Sequence, residues 1–503
     1  MKRSYLSVLI FFLSLTIIFP QKTFDEKQLD KYIQSAIEKF NLPGLSIGIV
    51  KDSVVIFNKG YGVKDVRNST TINIDTKFAI ASLSKAFTSA SIGMLVDEGK
   101  LSWNDRVIDH LPEFKLHDSY ITREARIVDL LSHRIGLATF DGDLLWYGTN
   151  YKRSEIVKRI GEMPIKNGFR SKYGYQNIMF IVAGEVIEKV SGKTWEEFVQ
   201  ERILTPLEMN NTTLSNSEFT SSSNVAIPHL NKKPLDFINY DNSGPAASIN
   251  SSTSDLLKWL QFWLNEGEWN GGQLLSKKSI RKILTSHTAL NGGAGKEIDG
   301  THFAAAGLGW FLYDYSGRKI ITHGGGLIGF ISKITFVPED NLGVIVLTND
   351  DTRVSGAIVN KVLDLFLNDK DIDYVDKTFV RQTKRNNRLA KLKHKRDSLR
   401  IEGTSPSLQL EKYAGIYTDK MYGDAQITFN KGVLSLTLLP SKELFVSKME
   451  HWHLNTFGIK FADEFLPEGF VTFNFQTNGN IKGFKIELPN PDFHFYNLDF
   501  KKK

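Results

Sequence analysis

The chain has 503 residues and a mass of 56.9 kDa, with 41 % hydrophobic, 12 % aromatic and 24 % charged side chains. That balance excludes collagen-like, low-complexity and wholly disordered proteins, and the length allows two to four domains at ~150 residues each. There is no cysteine, which excludes disulfides, thiolate metal sites, a cysteine nucleophile and a lipid anchor on cysteine. The 63 basic and 56 acidic residues leave +7, too mild over this length to imply nucleic-acid binding.

Lys2 and Arg3 precede an apolar run from Leu6 to Phe19. This reads as a signal peptide over residues 1–22, cleaved between Pro20 and Thr23, although an Ala-x-Ala site is missing. The run is shorter than the ~20 residues of a comfortable span. The expectation is an exported protein, periplasmic or extracellular in a bacterial envelope, with no stable membrane span after cleavage. An uncleaved anchor is the other reading.

Residues 25–40 carry apolar side chains at helical spacing (Leu29, Tyr32, Ile33, Ala36, Ile37, Phe40). Leu45–Val50 and Val54–Phe57, around Lys51-Asp52-Ser53, read as a β-hairpin. Residues ~80–290 are mostly helical in pattern. A meander follows, with strands at Gly307–Asp314, Arg318–His323, Ile331–Val337 and Leu342–Asn349, and a helix at Val354–Leu367 closes the unit. Strands at both ends and helices between them make a mixed α/β (α+β) domain over residues 23–368. Its antiparallel sheet is flanked by helices and accompanied by a helical subdomain.

Residues 369–405 crowd ten cations between Lys377 and Arg400, and from Asp376 to Arg400 only Asp376 and Asp397 oppose them. They read as a charged, partly helical linker: either a solvated connector or a patch for an anionic envelope surface. Residues 406–503 return to short alternating strands (Ala425–Asn430, Gly432–Leu439, Phe470–Phe475, Ile481–Leu488), with turn signals at Asn430-Lys431-Gly432 and Asn478-Gly479. This is a small all-β unit, a barrel or a sandwich.

Three motifs carry chemistry. Ser82-Leu-Ser-Lys85 opens a helical pattern that Gly99 ends. Residues three apart share a helix face, so Ser82 and Lys85 project together. A buried lysine beside a hydroxyl has a lowered pKa and can act as its base. Ser84 is a competing hydroxyl. Tyr175-Gln-Asn177 precedes a helix running to Lys189: the tyrosine can shuttle a proton, the asparagine orient an amide or a lysine. His323-Gly324-Gly325-Gly326 ends a strand-like run where another backbone or a substrate can approach. Gly324 to Gly329 also matches G-x-G-x-x-G, but strand follows where a dinucleotide site needs a helix. The pair His451 and His453 reads as packing rather than a metal site, and His133 as a brace for its loop.

In this order, Ser-x-x-Lys, Tyr-x-Asn and His-Gly-Gly resemble the serine β-lactamase and penicillin-binding-protein superfamily. The likeness is to the branch of class C β-lactamases, D-amino-acid peptidases and esterases. Asp129–Leu137, Gly184–Gly192 and Gly244–Asp255 add to it, over roughly residues 25–368. The tail, through Leu410–Tyr417, is similar to the lipocalin-like β-barrel domain of some relatives.

The resemblance implies a serine hydrolase working through an acyl-enzyme without cofactor or metal. Ser82 would be the nucleophile, and Lys85 and Tyr175 would share general-base duty. Asn177, His323, Gly324 and Gly325 would face the substrate, and the N–H groups of Ser82 and Gly326 would form the oxyanion hole. His323 and Gly324 stand where penicillin-recognising members often carry lysine and threonine, so a peptidase or esterase is expected. Its substrates would be small peptides, amides or esters, including D-residue or cell-wall fragments. A true class C-like β-lactamase and a non-catalytic penicillin- or peptidoglycan-binding sensor are the alternatives.

Overall fold

The most continuous apolar runs become the middle of a sheet. Leu342–Thr348 is buried at every residue. It lies between Gly44–Lys51 and Phe330–Val337, with Ile47 opposite Val346 and Ile334 opposite Ile345. Strands covered on both faces read as unbroken hydrophobic sequence rather than alternation. The structure, a computed structural model, describes residues 24–290, 300–368 and 371–503. The expected signal segment, 1–22, lies outside the described residues.

The sheet has eight antiparallel strands. From the Val54–Gly62 edge it runs through Gly44–Lys51, Leu342–Thr348, Phe330–Val337, Arg318–Leu327, Phe311–Tyr315 and Ala304–Ala306 to Thr288–Ala289. Helices Glu26–Phe40 and Val354–Leu367 bury Leu29, Ile33, Ile358 and Val362 in one core with Val344 and Val346. Thr253–Leu264 covers the other face. There a Cβ on Gly48 would sit 2.8 Å from Leu257 and one on Gly343 3.0 Å from Leu260, so missing side chains set that helix close to the sheet. Between the sheet ends lies the helical region, with Ser84–Asp97 at its centre and buried on all sides from Ser84 to Leu95.

Several strand limits differ from the sequence reading; the second hairpin strand runs on from Phe57 to Gly62, and two more shifts fall in the meander. The first meander strand is Phe311–Tyr315, because Gly307 and Gly309 turn the chain instead. Gly309 has φ +73°, and a Cβ there would sit 2.8 Å from the Lys85 carbonyl. The next strand does not stop at His323 but continues through the glycines to Leu327, paired with Phe330–Ser332 and beyond.

The tail is a closed antiparallel barrel of eight strands, from Gly415–Asp419 to Phe500–Lys502. Four of these strands escape the sequence reading. Gly415–Asp419, Val446–His453, Thr456–Ile459 and Phe500–Lys502 are short or carry polar and charged residues on their outer face. The linker is mostly one helix, Tyr374–Asp397. His451 and His453 turn to backbone partners, the Leu454 carbonyl and the Ile401 N–H.

The barrel docks on the helical region through buried groups. Tyr147 donates to Asp463 at 2.8 Å and its ring lies 4.1 Å from that of Phe493. Tyr151 and Arg159 donate to the carbonyls of Tyr422 and Met421. Asp141 receives His494 and Lys166, each at 2.9 Å. Burial raises the Asp463 carboxyl, so the Tyr147 bond supports a charge held out of water. Removing a partner from such a group costs about 1–3 kcal/mol. Tyr147→Phe should therefore lower the melting temperature measured by calorimetry, while Tyr151→Phe, at a half-buried position, should cost less. Equal stability of Tyr147→Phe and wild type would show that this bond does not hold the interface.

Candidate active site

Ser82 sits on the single 3₁₀ turn Ala81–Leu83, which leads directly into Ser84–Asp97. Ala81 before it has φ +53°, a region that L-residues seldom occupy. The two serines of the motif are used differently. Ser84 is fully buried, donates to the Ala81 carbonyl at 2.7 Å and accepts from the Ile249 N–H at 3.1 Å. Its hydroxyl is occupied in holding the strained turn. Ser82 is part exposed.

Lys85 lies one position into the helix and is completely buried. Its Nζ donates to Ser82 Oγ at 3.0 Å, Asn177 Oδ1 at 2.6 Å and the Ala246 carbonyl at 2.9 Å. Burial pulls its pKa down to about 7, and the nearby Asp143 charge opposes that fall. An amine near neutrality beside a serine hydroxyl is the chemical core of this site.

Asn177 stands at the N-cap of helix Ile178–Ser191, yet its side chain caps nothing. It bridges instead, accepting from Lys85 and donating through Nδ2 to Asp143 Oδ2 at 2.6 Å. Asp143 also accepts from the Trp146 indole at 3.0 Å, and burial pushes its carboxyl up to about 7. Neither Asp143 nor the Ala246 carbonyl was singled out from the sequence. Asp143 lies in a loop with no motif of its own. Ala246 falls inside Gly244–Asp255, a stretch noted only for its likeness.

The Tyr175 hydroxyl faces Ser82 closely enough to feel its hydroxyl, and burial keeps it a neutral phenol. Its ring lies 5.0 Å from Lys85 Nζ and 4.5 Å from the His133 ring. His133 Nδ1 accepts the Gln176 N–H at 3.0 Å, and its carbonyl accepts the Gly174 N–H at 2.9 Å. It thus fixes the loop that presents Tyr175 and Asn177.

Opposite runs the glycine strand. His323 is buried against Phe311, ring centroids 5.0 Å apart, and 6.2 Å from Tyr175. Burial, with Lys85 adding to it, drives its pKa down to about 3, so the ring is neutral. Nδ1 lies 2.6 Å from the Gly324 carbonyl and must carry the proton, which leaves Nε2 as a lone pair with no partner among the described residues. At Gly325 a Cβ would lie 2.2 Å from both the Ile80 carbonyl and Ser332 Oγ. Only glycine lets the strand close on the Ser82 turn, and Ser332 clamps it by donating to Ile80 at 2.8 Å. A Cβ at Gly324 would meet only ordinary contacts, 3.8 Å from the Ser332 carbonyl. Gly326 pairs with Ile331, and just beyond it Leu327, Ile328 and Phe330 line a small mixed recess with Phe219, Phe237, Asp236 and Asp241.

The structure therefore brings Ser82, Lys85 and Asn177 into one hydrogen-bonded group, with the Tyr175 ring packed against Lys85 and His323 to Gly326 along its side. Residues 29–368 match the beta-lactamase family, and residues 399–502 match a domain of unknown function, DUF3471. Protein flp of Staphylococcus aureus (strain MW2) is 28 % identical over 353 residues, 69 % of this chain and 67 % of that protein. The unguisins hydrolase ungD' of Aspergillus campestris is 30 % identical over 378 residues, 70 % of this chain and 67 % of its own length. The octameric penicillin-binding protein homologue from Pyrococcus abyssi covers 95 % of this chain and 100 % of its own, with a TM-score of 0.62 at 22 % identity, a likeness of fold. Matched over most of its length and carrying this arrangement, the chain belongs to the beta-lactamase family, whose members are generally serine hydrolases.

Proposed function

We propose that the protein is an exported serine hydrolase that cleaves amide or ester bonds through an acyl-enzyme on Ser82. The observation that carries this reading is the buried Lys85 amine, 3.0 Å from Ser82 Oγ with its pKa drawn down to about 7. Neutral Lys85 takes the Ser82 proton as Oγ attacks the substrate carbonyl. The oxyanion is received by the N–H groups of Ser82 and Gly326, a type of contact worth about 3–4 kcal/mol per donor in other hydrolases. Collapse expels an amine or alcohol, which takes its proton from Tyr175, and Tyr175 recovers it from Lys85. Water then attacks the ester under the same base and frees Ser82.

This division departs from shared base duty. Burial disfavours the phenolate of Tyr175 and favours the neutral amine of Lys85, so the lysine is the base and the tyrosine the relay. Asn177 holds the lysine in place and answers to Asp143 behind it.

Substrate choice follows from His323. A neutral, buried imidazole offers no fixed cation to a substrate carboxylate, and its free Nε2 is an acceptor. The reading is a peptidase or esterase acting on small peptides, amides or esters, cell-wall fragments with D-residues among them.

Three outcomes are expected. Ser82→Ala should lose about 10⁴-fold or more in ester hydrolysis and all labelling by a fluorophosphonate probe. Ser84→Ala should still label at Ser82, as read by peptide mass spectrometry; labelling of Ser84 instead would displace the nucleophile. For pH, the active base is the neutral amine, so kcat/KM should rise with pH and level off above about 7. Asp143 raises the lysine pKa, so Asp143→Asn should move that limb to lower pH; disappearance of the limb would assign it to Asp143 instead. Nitrocefin should be turned over poorly, and a specificity constant above ~10⁵ M⁻¹s⁻¹, within the ordinary enzyme range, would make the protein a β-lactamase.

A further inference from the structure

The helix Tyr374–Asp397 takes no part in the site described above. Its first turn is buried through Tyr374 and Val375, and its last is tied to the barrel by Lys393 and Arg396, which pair with Glu468. From Thr383 to Lys395 every residue is exposed. At 3.6 residues per turn, Lys377, Arg381, Lys384, Arg388, Lys391 and Lys395 fall within an arc of roughly 80°. They span eighteen positions, or roughly 27 Å of helix axis. No Asp or Glu occurs between Lys377 and Lys395. Among the described residues, Arg381, Lys384, Arg388, Lys391 and Lys395 form no ion pair, whereas Arg385, about 40° outside the arc, senses Asp351 and Asp492.

This stripe does not serve the helix itself. Lys377 and Arg381, Lys384 and Arg388, and Lys391 and Lys395 are like charges four apart, which destabilises an isolated helix. A plain solvated connector has no use for apolar groups beside the charges. Yet Leu392 stands about 20° outside the arc and Leu389 about 60° further round, toward Arg396 and Lys393, 52 % and 51 % exposed, and Leu399 and Ile401 past the helix end are exposed too. Cations flanked on one side by leucines on an exposed helix match an anionic lipid surface, where headgroups relieve the repulsion and the flanking leucines reach the interface.

We propose that this helix lies along an anionic bilayer surface, its basic arc toward the headgroups. The leucines favour a bilayer over a soluble polyanion such as nucleic acid, which would engage the charges alone. The inference does not rest on the hydrolase reading.

The test is sedimentation of the full chain with vesicles of pure phosphatidylcholine or with about 30 % phosphatidylglycerol added. Binding through residues 1–22, where Lys2 and Arg3 flank the apolar run, is common to wild type and variants, so the change in anionic preference on substitution is the readout. Wild type should bind the anionic vesicles at least about tenfold more tightly, less so as salt rises. The variant Lys384→Glu, Arg388→Glu, Lys391→Glu, Lys395→Glu should lose that difference, and Leu389→Ser with Leu392→Ser should weaken it several-fold, both keeping wild-type ester hydrolysis. Since the protein lacks cysteine, Leu392→Cys can carry a polarity-sensitive fluorophore, which should shift blue with anionic vesicles only. Equal binding by the charge variant, or no blue shift, overturns the proposal. Heparin or DNA binding that the charge variant loses, with no effect of the leucine changes on vesicles, assigns a polyanion and overturns it too.

Discussion

The site is organised around one costly act, the burial of the Lys85 amine. A lysine out of water shifts toward its neutral form unless counter-charges hold the proton. Here three oxygens face Nζ, all of them neutral: a hydroxyl, an amide and a backbone carbonyl. The carboxylate that could have locked the ammonium in place, Asp143, stands one residue further off, behind Asn177. In its neutral form Nζ keeps two of the three contacts as donated bonds, to Asn177 and Ala246, and turns its lone pair to the Ser82 hydroxyl. A carboxylate in the place of Asn177 would make a stable ion pair and a poor base.

The surrounding fold makes this burial possible by close approach. Gly309 meets the Lys85 carbonyl, Gly325 meets Ile80, and Ser84 and Ser332 clamp the turn where Ala81 holds a disfavoured backbone angle. Strain at a reacting turn persists only when its neighbours over-determine it. The His133 brace on the Tyr175 loop and the barrel contacts at Asp141 and Tyr147 extend the same support outward. Asp141 and Asp143 share one loop, so the barrel docks two residues from the group that orients Asn177.

What could be read from the sequence was what is local. Ser82 and Lys85 share a helix face, Tyr175 and Asn177 share a loop, and His323 leads a run of glycine. The mixed sheet was legible because its central strands are unbroken apolar runs. Asp143 was not, because its role exists only through Asn177 and Trp146 in space. The Ala246 carbonyl was not, since any residue supplies one. Ser84 could be told from Ser82 only by its occupied hydroxyl. In the tail, strands such as Val446–His453 hide behind charged outer faces, and in the linker the count of cations said nothing of their common side until the helix was drawn.

The central claim is that Lys85 is held near neutrality of charge at physiological pH. Its most direct test is a pH titration of the lysine ¹³Cε signals by NMR, with the Lys85 signal assigned by its loss in Lys85→Arg. The account predicts a titration centred near 7. A Lys85 signal that titrates near the ordinary ~10.4 of lysine would contradict it, and the base would have to be sought elsewhere.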